Sequence, residues 1–164
     1  MEDIISQTKA DFVRTKEQMA RALATTPDDK LNWSPSPMAR TVVQLAAHAA
    51  MAVSGIQGWL TGKPFPFADT AEFDAAMRAD EKAFTTREQA LSVLEQNSAE
   101  YLTWLDGLTS EQLGSTLSLF FGPIPMTVGI TLPAEHMRGH IAQMDYIQTI
   151  SGDHDWHMPS QKSK

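Results

Sequence analysis

The sequence predicts an all-α protein folded as a four-helix bundle, and three observations carry that expectation. Four long runs place apolar residues at helical spacing, the connections between them differ in length, and little of the chain alternates as a strand would. A shorter periodic run between the second and third long ones predicts an additional short helix there. The 164 residues suffice for one hydrophobic core, which places residues 1–152 in a single helical domain and 153–164 in a polar tail.

The first run extends from Glu2 to about Thr25, with Ile5, Phe12, Met19, Ala22 and Leu23 interleaved by Lys9, Lys16, Glu17 and Arg21. TTPDDKLNWSPSPMAR follows, and Pro27, Pro35 and Pro37 among Asp, Asn and Ser make it a structured connection. The second run goes from about Arg40 to Thr61, carrying Val42, Leu45, Ala49, Ala52, Ile56 and Leu60 before Gly62 and Pro64 stop it. Asp69 or Thr70 caps the short helix, which buries Phe73 and Met77, with Phe84 a further candidate. The third long helix opens at Thr86, whose spacing to Gln89 is that of a capping box, and runs through Leu91, Leu94, Tyr101, Leu102 and Leu105 to Gly107.

Residues 109–131 are ambiguous, since Leu117 to Phe121 suit a short strand, a turn of helix or an apolar cover over a cleft. The last run steps by fours and threes through Leu132, His136, His140, Met144, Ile147 and Ile150 to Ser151 and Gly152. It starts either near Thr127, with Pro133 kinking its interior, or with Pro133 at the first helical position.

Composition narrows the function. A net charge of −7 repels phosphate backbones and anionic headgroups, so neither nucleic acid nor a membrane surface is an expected partner. With no cysteine there is no disulfide, thiolate nucleophile or iron–sulfur cluster, and any metal must use N and O ligands. No uninterrupted apolar stretch is long enough to span a bilayer, and MEDIISQTKADF carries acids where a secretory signal is basic then apolar. A soluble, cytoplasmic protein is expected.

Chemistry concentrates on three of the five histidines. His136 and His140 in EHMRGH are four residues apart, hence stacked on one helix face, and they share their stripe with Leu132, Met144 and Ile147. Imidazoles turned into a bundle lose hydration and need partners, which a metal ion would supply. His48 in LAAHAAMA borders the stripe of the second helix and is a candidate third ligand from a facing helix. Three neutral imidazoles suit zinc, nickel, iron or copper and leave positions for water or substrate. The competing reading makes all three hydrogen-bonded core residues.

Glu135 precedes His136, so the HExxH arrangement of zinc proteases is absent. Glu135 and Asp145 are the nearest acids in sequence but fall off the stripe, and His154 and His157 sit in the polar tail. Trp33, Trp59, Phe120 and Phe121 are candidates for a pocket wall, with core packing the ordinary alternative. No GxSxG elbow and no glycine-rich phosphate loop occurs.

Two stretches carry a family resemblance. LNWSPSPMARTVVQLAAHAA is similar to the Trp-x-Pro-x-Pro loop and first ligand helix of the DinB/YfiT-like metal-binding four-helix bundles, and HMRGHIAQMDYI resembles their H-x-x-x-H-x-G-Q stretch, with Ala142 in place of Gly. The resemblance implies that His48, His136 and His140 are the three metal ligands and that Gln143 is the motif glutamine. It further implies an up-down-down-up helix order, a divalent ion (nickel or zinc), and a homodimer. Relatives include thiol S-transferases, maleylpyruvate isomerases that use a low-molecular-weight thiol, and hydrolases, so a small-molecule substrate is implied without one reaction. The expectation is a metal-dependent transferase or hydrolase. The alternative is a non-catalytic metal-binding or helical interaction protein.

Overall fold

Side-chain caps open four of the helices in the computed structural model, which describes residues 2–158. Helix α1 is Glu2–Thr25, α2 is a single turn at Asp28–Leu31, and α3 is Val42–Leu60. Thr41 opens α3 with a complete capping box, its hydroxyl accepting from the Gln44 amide while Gln44 Oε1 accepts from the Thr41 amide. Helix α4, Thr70–Glu81, is capped by Asp69; α5, Arg87–Asp106, is capped by the Thr86/Gln89 box anticipated from spacing. The ambiguous stretch folds as a helical turn α6 (Ser110–Leu113), a hairpin of β1 (Thr116–Leu119) and β2 (Gly122–Pro125), and a second turn α7 (Met126–Gly129). The hairpin is antiparallel, pairing Thr116 with Pro125 and Leu119 with Gly122. Helix α8, Leu132–Ile150, begins so that Pro133 lies in its first turn, where no amide donor is needed, and the axis has no proline in its interior.

Cross-helix contacts fix the helix order. Lys9 at the start of α1 meets Asp106 at the end of α5, and Arg87 at the start of α5 donates to Leu23 O at the end of α1, so these two run antiparallel. Asp11 meets Arg138, and Gln148 Nε2 donates to Ala22 O at 3.0 Å, so α1 and α8 run parallel. Leu60 at the end of α3 abuts Gly129 just before α8, while Leu45 near its start shares a cavity wall with Ile147, so α3 and α8 are antiparallel. The order is therefore up-down-down-up, with α3 packed on α5 and α8 and α1 packed on the same two helices.

One apolar core runs through all four long helices, from Phe12, Met19 and Leu23 through Val43, Ala47 and Ala50 to Leu94, Leu105, Met137 and Met144. Tyr101 is fully buried against Phe12, ring centroids 4.8 Å apart, and its hydroxyl donates to Ile130 O. That bond ties α5 to the chain entering α8. Alanines 46, 47, 49 and 50 of α3 are buried, and so small a surface lets α5 and α8 approach its backbone closely. No helix among the described residues is long and apolar enough to cross a membrane. The expected tail starts inside the described residues, and 159–164 lie outside them.

Candidate metal centre

His48 projects from the second turn of α3, and His136 and His140 from successive turns of α8. The antiparallel packing of these helices brings the three together, with ring centroids 5.1, 4.6 and 4.5 Å apart for the pairs 48–136, 48–140 and 136–140. Candidate ligand atoms of all three lie within 4.8 Å of one another. The two α8 histidines lie beside the buried stripe, not on it as their spacing predicts. The buried face of α8 is Ala134, Met137, Ile141, Met144 and Gln148, and the two histidines flank it, half-buried, while His48 is the buried member. The triad thus sits at the edge of the core, where small molecules can reach it.

Each ring is oriented by its surroundings. His48 Nδ1 lies 2.6 Å from Glu81 Oε1, the last residue of α4. Glu81 is 1% exposed, and burial alone would raise its pKa, but hydrogen bonds from His48 and Arg40 hold it below the usual carboxylate value. Ionised, it only accepts, so the proton is on His48 Nδ1 and the Nε2 lone pair is free to ligate. Arg40 donates to Glu81 through Nε at 2.6 Å and Nη2 at 3.0 Å, and Asp74 bridges Arg40 to Arg78. On the other side His140 Nδ1 donates to Gln143 Oε1 at 2.8 Å, which frees its Nε2 in the same way. His136 Nε2 then faces His140 Nε2 at 3.1 Å.

Burial, reinforced by neighbouring His140, His48 and Arg40, pushes the His136 pKa down to about 3, and burial also lowers that of His140. These rings are neutral near pH 7, the state a ligand requires. Without an ion, the 3.1 Å contact needs a proton on one of the two nitrogens. The donor set fits a first-row divalent ion: metal–nitrogen bonds of about 2.0–2.1 Å set neighbouring tetrahedral ligands about 3.3 Å apart. Among the described residues no fourth histidine, cysteine or acid completes the group.

A cavity of about 410 Å³ opens onto His48 and His136, walled by Met51, Trp59, Phe67, Phe73 and Met77. A larger one, about 550 Å³, lies between the start of α1 and the end of α5 and touches none of the triad. Chemistry belongs with the former because it alone joins apolar walls to the imidazoles.

Other candidates disperse. Glu135 pairs with Arg138 at 2.7 Å and Asp145 is exposed, and neither bonds to the triad. Trp33 packs on the core, Phe121 is 52% exposed, and Trp59 and Phe120 join Phe65 and Phe73 in one aromatic cluster. His157 bonds Asp153 within its own segment. Glu81 was missed from sequence, although the step of four from Phe73 to Met77 continues onto it, and an acid on an apolar stripe is the signal of a buried, paired carboxylate.

The sequence profile of the DinB superfamily matches residues 11–144. No relative was found among curated protein sequences. Among solved structures the chain is similar to YfiT from Bacillus subtilis, described as "a probable metal-dependent hydrolase with an unusual four-helix bundle topology", with TM-score 0.70, 17% identity, and coverage of 90% of this chain and 87% of that one. A DinB-like protein from Bacillus cereus ATCC 10987 gives TM-score 0.68 at 16% identity, covering 93% of both chains. A mycothiol-dependent maleylpyruvate isomerase gives 0.66 at 12%, covering 85% of this chain and 60% of that one.

Proposed function

The chain belongs to the DinB superfamily, and from that premise we propose that it is a metal-dependent enzyme acting on small molecules, of the thiol S-transferase or hydrolase type. His48, His136 and His140 would hold one divalent ion, nickel or zinc. The observation that carries this reading is the convergence of three imidazoles, two with Nδ1 already engaged by Glu81 and Gln143, beside an apolar cavity. The words "metal-dependent hydrolase" and "mycothiol-dependent" attached to two structural relatives support the same reading.

A bound divalent ion supplies Lewis acidity that favours the deprotonated form of a water or thiol at neutral pH. The remaining work falls to the chain. Glu81 holds the His48 proton on Nδ1, and Arg40 keeps Glu81 charged; Gln143 does for His140 what Glu81 does for His48. Met51, Phe73 and Met77 exclude bulk water from the side where a substrate enters. The reading extends to a homodimer in the cytoplasm; half-exposed Phe120 and Phe121 at the hairpin tip offer apolar surface for a partner copy.

The test is a screen of nickel- and zinc-loaded protein against thiol-plus-electrophile pairs and activated esters, with His136→Ala as control. Turnover that disappears in the variant is expected. A loaded chain that neither turns over any pair nor binds a thiol at the ion overturns the enzymatic reading and leaves a metal staple between α3 and α8.

A further inference from the structure

The cavity beside the triad has a direction. Its α3 lining runs from His48 to Trp59 and includes Ala52 and Gly55, at steps of four, three and four, so it extends along the helix for about 16 Å. At one end stand His48 and His136. At the other the chain leaves α3 and Lys63 joins the lining. The stretch between is apolar and aromatic: Trp59 and Phe73 have centroids 5.9 Å apart, Phe67 and Phe73 5.2 Å, and Met51 and Met77 add adaptable thioethers. Lys63 lines both this cavity and the smaller one beside Phe120, and its ammonium takes part in no ion pair among the described residues.

Resting on the metal-enzyme reading above, we propose that the substrate is an amphipathic monoanion: a reacting polar group at the triad, an aryl or alkyl body against Trp59, Phe67 and Phe73, and a carboxylate or similar anion at Lys63. The volume of about 410 Å³ is that of a small-ligand site. Apolar walls supply affinity through buried area, and the lone ammonium offers an anion a partner at the end away from the triad, which leaves the other end of the molecule at the imidazoles. Gly55 gives the cavity its width. A Cβ built there meets no atom within 4 Å, so a side chain at this helical position starts into open space and not into packed neighbours.

The probes are 4-phenylbutyrate and its neutral analogue 4-phenylbutyramide, titrated calorimetrically into zinc-loaded full-length chain, with the ion content of each sample measured in parallel. Wild type should bind the carboxylate about tenfold more tightly than the amide, as an ion pair in a partly desolvated site allows. Lys63→Gln should erase that preference while leaving amide binding unchanged. Gly55→Leu should weaken both ligands about tenfold or more at unchanged ion content, and Ala52→Leu provides a second block should the first variant fold poorly. A preference for the anion that survives Lys63→Gln would place the carboxylate elsewhere, on the ion included, and overturn the assignment. So would undiminished binding to both blocked variants. Loss of ion content in wild type would instead sink the metal reading, and the same ligand comparisons on that ion-free chain would still decide the cavity.

Discussion

Glu81 shows at residue scale how the centre is held. Its carboxylate accepts a hydrogen bond from His48 Nδ1 and two from Arg40 while 1% exposed, so Glu81→Gln keeps the shape and removes the charge. Zinc affinity, measured by competition with a chelator, should fall about 10–100-fold, because a weaker acceptor no longer fixes the ring and its tautomer. Unchanged affinity would make the contact incidental. Ser98 is the opposite case: its buried Oγ has no hydrogen-bond partner among the described residues, so Ser98→Ala should raise stability by about 1 kcal/mol in a denaturant titration. A loss of stability would mean that the hydroxyl is satisfied after all. The three histidines were legible in sequence because imidazoles four apart on an apolar run are costly unless partnered. Glu81 was only half legible, since nothing local distinguishes an acid that closes a short helix from one that faces water.

At the scale of elements, the periodic runs were readable and the four-residue ones were not. Helices α3, α5 and α8 span 19 or 20 residues, enough for repeat and cap to agree, whereas β1, β2, α6 and α7 have four each, too few to separate periods of two and 3.6. Packing settles them: a Cβ at Gly129 would lie 2.6 Å from Leu60 Cδ2, so a side chain there would have to displace Leu60 before α7 could dock as closely on the end of α3. The pairing of α1 with α8 carries a pH dependence. Burial raises the Asp11 pKa, but Arg138 and Arg14 outweigh it and leave it below the ordinary carboxylate value. A carboxyl depressed in the native state stabilises fully above its unfolded pKa, and the benefit is lost as pH falls through the native one. Wild type should therefore exceed Asp11→Asn in Tm at pH 7 and lose that advantage as pH drops below about 4. A gap that does not change with pH would show that the pair contributes no ionic stabilisation.

Over the whole molecule, the bundle itself was legible, because four amphipathic runs can bury their stripes only against each other. The helix order was not readable from periodicity. It entered as an implication of resemblance, and the contacts Lys9–Asp106, Asp11–Arg138 and Leu60–Gly129 establish it. That order is what sets the start of α8 against α3 and joins His48 to residues some 90 positions away. Because the core is continuous through all four helices, removing an ion should lower Tm by only the binding linkage and leave the chain folded by circular dichroism. Unfolding on chelation would mark the ion as a structural staple. The most direct test of the central claim is elemental mass spectrometry on protein stripped and reloaded with zinc or nickel, comparing wild type with His48→Ala and His136→Ala. One ion per wild-type chain, lost in both variants, is the result the account requires; no bound ion, or binding that survives both substitutions, would contradict it.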